Sequence, residues 1–351
     1  MVTRIFILLA SCLSVLQSVA AEDLTIPVFV GQTGASQTFG RNETDGYTLA
    51  AEERNAKGGV NGKRVVLQFE DTETSAKQLM SAFHLRASKG AQVVLGPTWL
   101  DSFAGLIPVA RKKNVLLVTP SASIEAFSKA DRTWPISFYQ NSTLESKVLV
   151  EGLRKKRVSK VALIYEQEPF AEMLRKLVMA EAPPLVADIG VQAGESDFRA
   201  HLVKLRNQGV DAIVVFVWDQ RSLLSLLQQI RTNVPEASLV TVHDGEGWLE
   251  DPSFKPYLPR LMYTRLVIAD ESFATRFKAR FGYSPILTAS NAYDALNAVL
   301  SAFAAGANSG LTCREYLMNN QMESVTFGSF RFSQDGSLPS KFEIVDYVSA
   351  K

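Results

Sequence analysis

Short apolar runs of strand type alternate with amphipathic helical stretches along most of this chain, and the alternation runs through twice. No other feature restricts its fold as much. In the first series Leu24–Gly31 is predicted as a strand and Asp45–Lys57 as a helix stopped at Gly58-Gly59. Val65–Glu70, Gln92–Leu95 and Val115–Thr119 follow as strands, with helices at Ser75–Lys89 and in a stretch ending at Lys113. Strands that are apolar nearly throughout need cover on both faces. A helix before each following strand makes the pairing parallel.

The second series begins at strand Lys160–Tyr165 and continues with strands Val186–Ile189, Asp211–Val217 and Ser238–Val242. Helices are predicted at Ala171–Ala180, Asp197–Gln208 and Ser222–Thr232. A chain of 351 residues exceeds one ordinary core and suits two α/β domains of roughly 100–200 residues each. The turn-rich stretch Trp134–Thr143 is the expected first crossing between them. Further on, Asp270–Phe281 and Leu287–Gly306 read as helices. Phe330-Arg331-Phe332, a turn at Asp335-Gly336 and Lys341–Val348 read as a terminal hairpin. A returning segment means that the chain crosses between domains more than once.

The first residues differ from the rest. Met1–Arg4 is a short positive start, Ile5–Val19 is apolar, and Ser18-Val19-Ala20-Ala21 offers small residues. Residues 1–21 therefore read as a secretory signal peptide cleaved after Ala21. Leu9-Ala10-Ser11-Cys12 also fits a lipobox, with an unusually short leader. Cleavage after Ala21 leaves Cys313 as the sole cysteine, so stability is expected from packing and not from a disulfide. The 37 Lys+Arg against 36 Asp+Glu argue against nucleic acid as a partner, which would need a clustered basic face.

Catalytic signatures are missing. His84, His201 and His243 lack metal-ligand spacing, and no second cysteine accompanies Cys313 in a zinc pattern. There is no G-x-S-x-G elbow. The glycines of 31–40 and 58–62 fit neither the dinucleotide nor the P-loop spacing. No metal, cofactor or catalytic residue is expected, and the chain reads as a binder and not an enzyme. In an open α/β sheet, ligands bind beyond the carboxyl ends of the strands. Four loops rich in small or hydroxyl residues fall there: Gly31–Ser36, Gly96–Ser102, Thr119–Ser123 and His243–Gly247. The second and third lead into helices whose first N–H groups suit a carboxylate. Asp101, Ser102 and Ser123 serve equally well as plain helix caps.

Several segments carry a resemblance. They are Asn55-Ala56-Lys57-Gly58-Gly59-Val60-Asn61-Gly62, Val94-Leu95-Gly96-Pro97, Leu117-Val118-Thr119-Pro120-Ser121-Ala122, Glu195-x-Asp197-Phe198 and Asn291-Ala292-Tyr293-Asp294-Ala295. In this order they resemble the periplasmic leucine–isoleucine–valine-binding protein family. The resemblance implies the type I periplasmic-binding fold, α/β, with two doubly wound parallel-sheet domains joined by three crossings around a ligand cleft. The lobes it implies are 22–138 plus about 267–330, and 139–266 plus about 331–351. It also implies a periplasmic, monomeric substrate-binding component of an ABC-type importer that captures an amino acid or related small polar or aromatic ligand and docks on ABC permease subunits. A sensory module built on the same clamp is the alternative.

Matched position by position, the resemblance places Ser121 and Ser123 in the loop that holds a ligand's carboxylate and ammonium, with Ser102 close by. Leu100 stands where the family usually has a serine after Gly-Pro. Phe39, Phe170 and Trp218 match wall positions. Glu246, or alternatively Asp244, matches the acid that pairs with an ammonium. Leu100 removes a hydroxyl, Pro169-Phe170-Ala171 replaces a common Tyr-Gly step, and Trp99 and Trp218 flatten the pocket. These departures point toward an aromatic or planar ligand.

Overall fold

The computed structural model describes residues 22–34, 36–98, 103–182 and 184–347. Its first strands are β1 (Leu24–Val30), β2 (Val65–Asp71), β3 (Val93–Leu95), β4 (Leu116–Thr119) and β5 (Ile136–Ser137). Then come β6 (Val161–Glu166), β7 (Ala187–Val191), β8 (Ala212–Phe216), β9 (Ser238–Thr241) and β10 (Leu261–Leu266). The last three are β11 (Met322–Ser324), β12 (Gly328–Phe330) and β13 (Phe342–Tyr347). The helices are α1 (Gln37–Ala56), α2 (Ala76–Ser88), α3 (Ile107–Lys112), α4 (Ser142–Lys155), α5 (Pro169–Glu181) and α6 (Arg199–Gln208). They continue with α7 (Gln220–Asn233), α8 (Asp244–Glu250), α9 (Ser272–Phe281), α10 (Leu287–Ala304) and α11 (Gly310–Asn319).

Two sheets carry the fold. The first has the order β2-β1-β3-β4-β5 and is parallel throughout. The second has the order β13-β10-β9-β8-β6-β7, parallel except for β13 at its edge. Each sheet therefore reverses its strand order once, between β1 and β3 and between β6 and β8. A crevice opens beyond the carboxyl ends of the strands at such a switch point.

Burial follows from the two-residue period of the strands. Val28 and Val30 face α1 and α10 in one core, with Tyr47, Leu296 and Val299. Phe29 turns the other way, to Leu79 and Phe83 of α2 and to Ile107. In the second sheet Ile213 and Val215 pack on α6 and α7, whereas Val214 and Phe216 pack on α4 and α5. This is the doubly wound arrangement that the continuous apolar strands require.

Three differences from the sequence expectations have physical causes. Helix α1 starts at Gln37, not Asp45, because Gly40 and Gly46 let its first turns press against other backbone. A Cβ on Gly40 would lie 2.1 Å from the Gly31 carbonyl oxygen. The expected terminal hairpin does not form: β12 pairs with β11, and β13 pairs antiparallel with β10. β12 instead closes a short hairpin with the preceding β11, and the partner of β13 is distant in sequence, so local alternation could not reveal it. The stretch after 331, assigned above to the second lobe, first packs on the first: Phe332 and Leu338 lie in its core.

The chain passes between the sheets after β5, after β10 and before β13, and the three threads are bonded to one another. The Asn141 N–H donates to Ser340 Oγ at 2.8 Å, and the Val267 N–H donates to the Lys341 carbonyl at 2.9 Å. Helices α1 and α10 cross at Gly46, where a Cβ would stand 2.1 Å from the Ala289 carbonyl oxygen. Gly46→Val should therefore destabilise the protein by about 1–3 kcal/mol through overpacking, read as a lower urea midpoint with little change in slope.

Candidate functional site

At the first switch point the Gly31 N–H donates to Thr98 Oγ1 at 3.0 Å, joining the ends of β1 and β3. Thr98 Oγ1 in turn donates to Glu43 Oε2 of α1 at 2.5 Å, Oε1 is buried with no hydrogen-bond partner among the described residues, and the Ser121 hydroxyl in the β4 loop is close enough to act on this carboxyl. Burial pushes the Glu43 carboxyl up to about 8, against the pull of those two hydroxyls. Thr119 Oγ1 shapes the turn by accepting from the N–H groups of Ser121 (3.3 Å) and Ala122 (3.2 Å). Ser121 is half-buried, whereas Ser123 is fully buried. Ser123 Oγ donates to Glu125 Oε2 at 2.7 Å and lies 3.1 Å from Ser142 Oγ at the start of α4.

At the second switch point Glu166 Oε2, at the end of β6, accepts the N–H groups of Trp218 (3.0 Å) and Asp219 (2.9 Å) beyond β8. Glu168 caps α5 by accepting from Phe170 (2.8 Å) and Ala171 (2.5 Å). These bonds set Phe170 and Trp218 side by side, 5.4 Å between centroids. Phe170 also meets Tyr139 edge-on at 5.8 Å, and Tyr139 meets His243 at 6.0 Å. Phe170 packs against core residues of both lobes. One aromatic row thus links the strand ends of the second sheet to the crossing and to the first lobe.

A buried ion pair stands behind the row. Glu145 Oε1 on α4 accepts from the His243 N–H (3.0 Å) and the Thr264 hydroxyl (2.6 Å), and lies 2.9 Å from His243 Nδ1. Tyr139 Oη is 3.3 Å from His243 Nε2, and the Gln140 amide lies against the ring at 3.1 Å. Burial alone would lower the His243 imidazole, but the charges of Glu145 and Asp244 push it up to about 9. Burial would likewise raise Glu145, yet the His243 charge and hydrogen bonds hold it below the usual carboxylate range.

The expected site residues fall into three groups. Ser121, Phe170 and Trp218 are brought to the crevice, and Phe39 lies half-buried in the first turn of α1. Ser123 is there too, but its hydroxyl is engaged in the bonds to Glu125 and Ser142. Leu100 and Ser102, with Trp99, lie outside the described residues. Of the two acids, Asp244 is turned inward: its Oδ2 is buried with no hydrogen-bond partner among the described residues, and its charge acts on Tyr139 and His243. Glu246 is exposed on α8, and its charge also reaches Tyr263 and Arg265. Tyr139, Gln140 and Glu145 were not foreseen. The turn-rich crossing that contains the first two was the available signal, and α4 itself was not predicted.

Comparison with known proteins agrees with this fold. The family model described as "Periplasmic binding protein" matches residues 23–351, and the chain belongs to that family. It is a family of solute-binding proteins and not of enzymes. A leucine-specific-binding protein of Salmonella typhimurium is 23% identical, over 93% of this chain and 95% of the relative. A Leu/Ile/Val-binding protein of Citrobacter freundii is 26% identical over 59% of this chain, which spans 58% of that relative's length. Among solved structures, a branched-chain amino acid transporter substrate-binding protein of Streptococcus pneumoniae in complex with isoleucine superposes with a TM-score of 0.79, at 21% identity, over 93% of this chain and 100% of the other. A solute-binding protein of an ABC transporter from Rhodopseudomonas palustris, in complex with 3,4-dihydroxybenzoic acid, also reaches 0.79, at 15% identity and 93% coverage of both chains. The fold is thus that of type I periplasmic binding proteins.

The raised His243 value defines a pH window. Its contribution to stability is complete below the unfolded value near 6.5 and is lost as pH rises through about 9. The lowered Glu145 value adds a contribution that is present above 4.5 and lost on acidification. Glu145→Gln should cost about 3 kcal/mol at pH 6 by leaving His243 without its counter-charge, and much less at pH 10. Denaturant titrations of both proteins across that range check the sign.

Proposed function

We propose that this protein is the extracytoplasmic substrate-binding component of an ABC-type importer, and that it captures an amino acid or related small polar or aromatic ligand by closure of its two lobes. The observation that carries the reading is the convergence at the crevice. The row Trp218–Phe170–Tyr139 and the inward Oδ2 of Asp244 lie together at the crossing between the sheets, and Ser121 stands on a strand-end loop of the first lobe. A hydroxyl suits a ligand's carboxylate, a buried carboxylate oxygen lacking a donor suits an ammonium, and flat rings suit a planar body between them. Asp244 takes the role that the family resemblance offered first to Glu246. The relatives' names and bound ligands, branched-chain amino acids in some and an aromatic acid in another, bracket the same chemistry.

The hinge we propose runs through Asn141, Val267 and Ser340–Lys341, where the three threads are bonded together. A ligand touching both lobes stabilises the closed form, and one touching a single lobe shifts nothing. Periplasmic location through the leader 1–21, docking of the closed monomer on ABC permease subunits, and absence of a cofactor belong to the same reading.

A thermal-shift screen of residues 22–351 against amino acids, amides and aromatic acids tests it. Ligand at about 100 times its dissociation constant should stabilise the protein by roughly 2.7 kcal/mol. Amine-bearing acids should give the shift, and Asp244→Asn should weaken them at least about tenfold, the loss of one charged hydrogen bond. Stabilisation by aromatic carboxylates alone, with Asp244→Asn neutral, would remove the amine from the reading. No shift with any compound would remove the reading itself.

A further inference from the structure

A cavity of about 510 Å³ opens between the lobes, bounded by Glu125 of the first and by the β6 loop and first turns of α5 in the second. That volume is in the range of small-molecule sites. The cavity adjoins the aromatic row. Pro169 lines it, and the next residue is Phe170, which meets both Trp218 and Tyr139.

Its charges are unequal. Glu125, Glu168 and Glu172 bring three carboxylates against the one ammonium of Lys176, which is exposed. Glu168 is engaged with the N–H groups of Phe170 and Ala171. Glu125 Oε2 accepts from Ser123, but Oε1 is buried with no hydrogen-bond partner among the described residues. Arg132, whose charge reaches Glu125, donates instead to the carbonyls of Phe127 (2.9 Å) and Glu125 (2.8 Å). Met173 and Leu177 make part of the lining apolar.

The shortage of donors extends along the crossing. Gln140 and Glu145 are completely buried. Gln140 Oε1, Glu145 Oε2 and Asp244 Oδ2 also have no hydrogen-bond partner among the described residues. The charges of Asp244, Glu145 and Glu125 all act on Tyr139, and the His243 ring, 2.9 Å from Glu145 Oε1, is the cation set among them. Buried acceptors are nearly always satisfied, and carboxylates most strongly by a cation. An α-ammonium at Asp244, in the second lobe, leaves Glu125, in the first, unanswered.

We propose that the crevice takes a ligand with a second positive group, an ammonium or guanidinium at the end of an aliphatic chain, and that this end lies in the cavity between Glu125 and α5. The chain suits Met173 and Leu177, the cation suits the carboxylates, and Phe170 and Tyr139 offer rings on the way. Such a ligand touches both lobes and so favours their closure. This deepens the amino-acid reading of the site and rests on it. Two sources share the chemistry: a basic amino acid and a diamine.

Calorimetric titration of residues 22–351 with L-lysine, L-arginine, L-norleucine and cadaverine tests this in the wild type, Glu125→Gln and Glu172→Gln. Norleucine has the chain of lysine without its terminal ammonium. Lysine or arginine should bind at least about tenfold more tightly than norleucine, the worth of one charged hydrogen bond. Each variant should weaken lysine and arginine severalfold and leave norleucine unchanged. Cadaverine weaker than lysine assigns the site to basic amino acids, and cadaverine equal to lysine or tighter assigns it to diamines; both results support the second positive group. Norleucine binding as tightly as lysine and arginine would overturn the inference while leaving the amino-acid reading in place. So would folded variants that lose norleucine and lysine equally, since Glu125 and Glu172 would then act on the fold and not on the cation. Binding of none of these compounds to the wild type would bring down the reading and the inference together.

Discussion

Glu145 joins the second lobe to the crossing through a single oxygen. Standing on α4 just past the first thread, its Oε1 meets the backbone N–H and the ring of His243 and the hydroxyl of Thr264. The loop after β9, the helix α4 and the strand β10 are thereby held to one point. The ring of His243 then supports Tyr139 and Gln140, the residues of the thread itself. A buried ion pair adds little net stability when compared with apolar packing, because both charges must leave water. Its value is positional. It fixes where the β9 loop ends and α8 begins, next to Asp244, whose Oδ2 is buried.

The two lobes solve the same local problem with different chemistry. At a switch point the chain ends of two adjacent strands diverge, and their backbone N–H groups lose the sheet as a partner. Buried N–H groups must be satisfied by something. In the second lobe the carboxylate of Glu166 takes both the Trp218 and the Asp219 N–H directly. In the first, the threonine hydroxyl of Thr98 takes the Gly31 N–H and passes the demand back to Glu43. The hydroxyl step brings the backbone of β1 and the loop of β4 into one hydrogen-bond network with a buried acid, and such networks couple their members more tightly than isolated pairs do. One side of the cleft is thus tied directly to the backbone by a carboxylate, and the other through a hydroxyl to a buried acid.

Much of this was readable residue by residue, and the failures are specific. The apolar runs at Leu24, Val93, Val161 and Ala212 announced buried parallel strands, because such strands are covered on both faces and need no alternation. The glycine stops at Gly58 and Gly209 marked helix ends. In contrast, the start of α1 escaped notice because its first turns are polar and rest on backbone contact at Gly40, which periodicity does not detect. Helix α4 escaped because Ser142, Glu145 and Ser146 are buried polar residues, so its apolar stripe is thin at the end that matters. The pairing of β13 with β10 joins segments about eighty residues apart, beyond the reach of any local pattern.

Local pattern was sufficient for the α/β class, the doubling of the lobes and the set of strand-end loops, since each of these follows from period, length and turn chemistry within a short window. The family resemblance, not local pattern, offered Glu246 or alternatively Asp244 as the ligand's acid, and these stand two positions apart. Two positions on a helix are about 200° of rotation, so the two acids take opposite faces: Asp244 Oδ2 is buried and Glu246 is exposed, which only the tertiary structure decided. The same holds for Glu43, which precedes the helix expected from Asp45 and which no local pattern singles out. Only the fold buries its carboxyl completely, and that burial pushes it up to about 8.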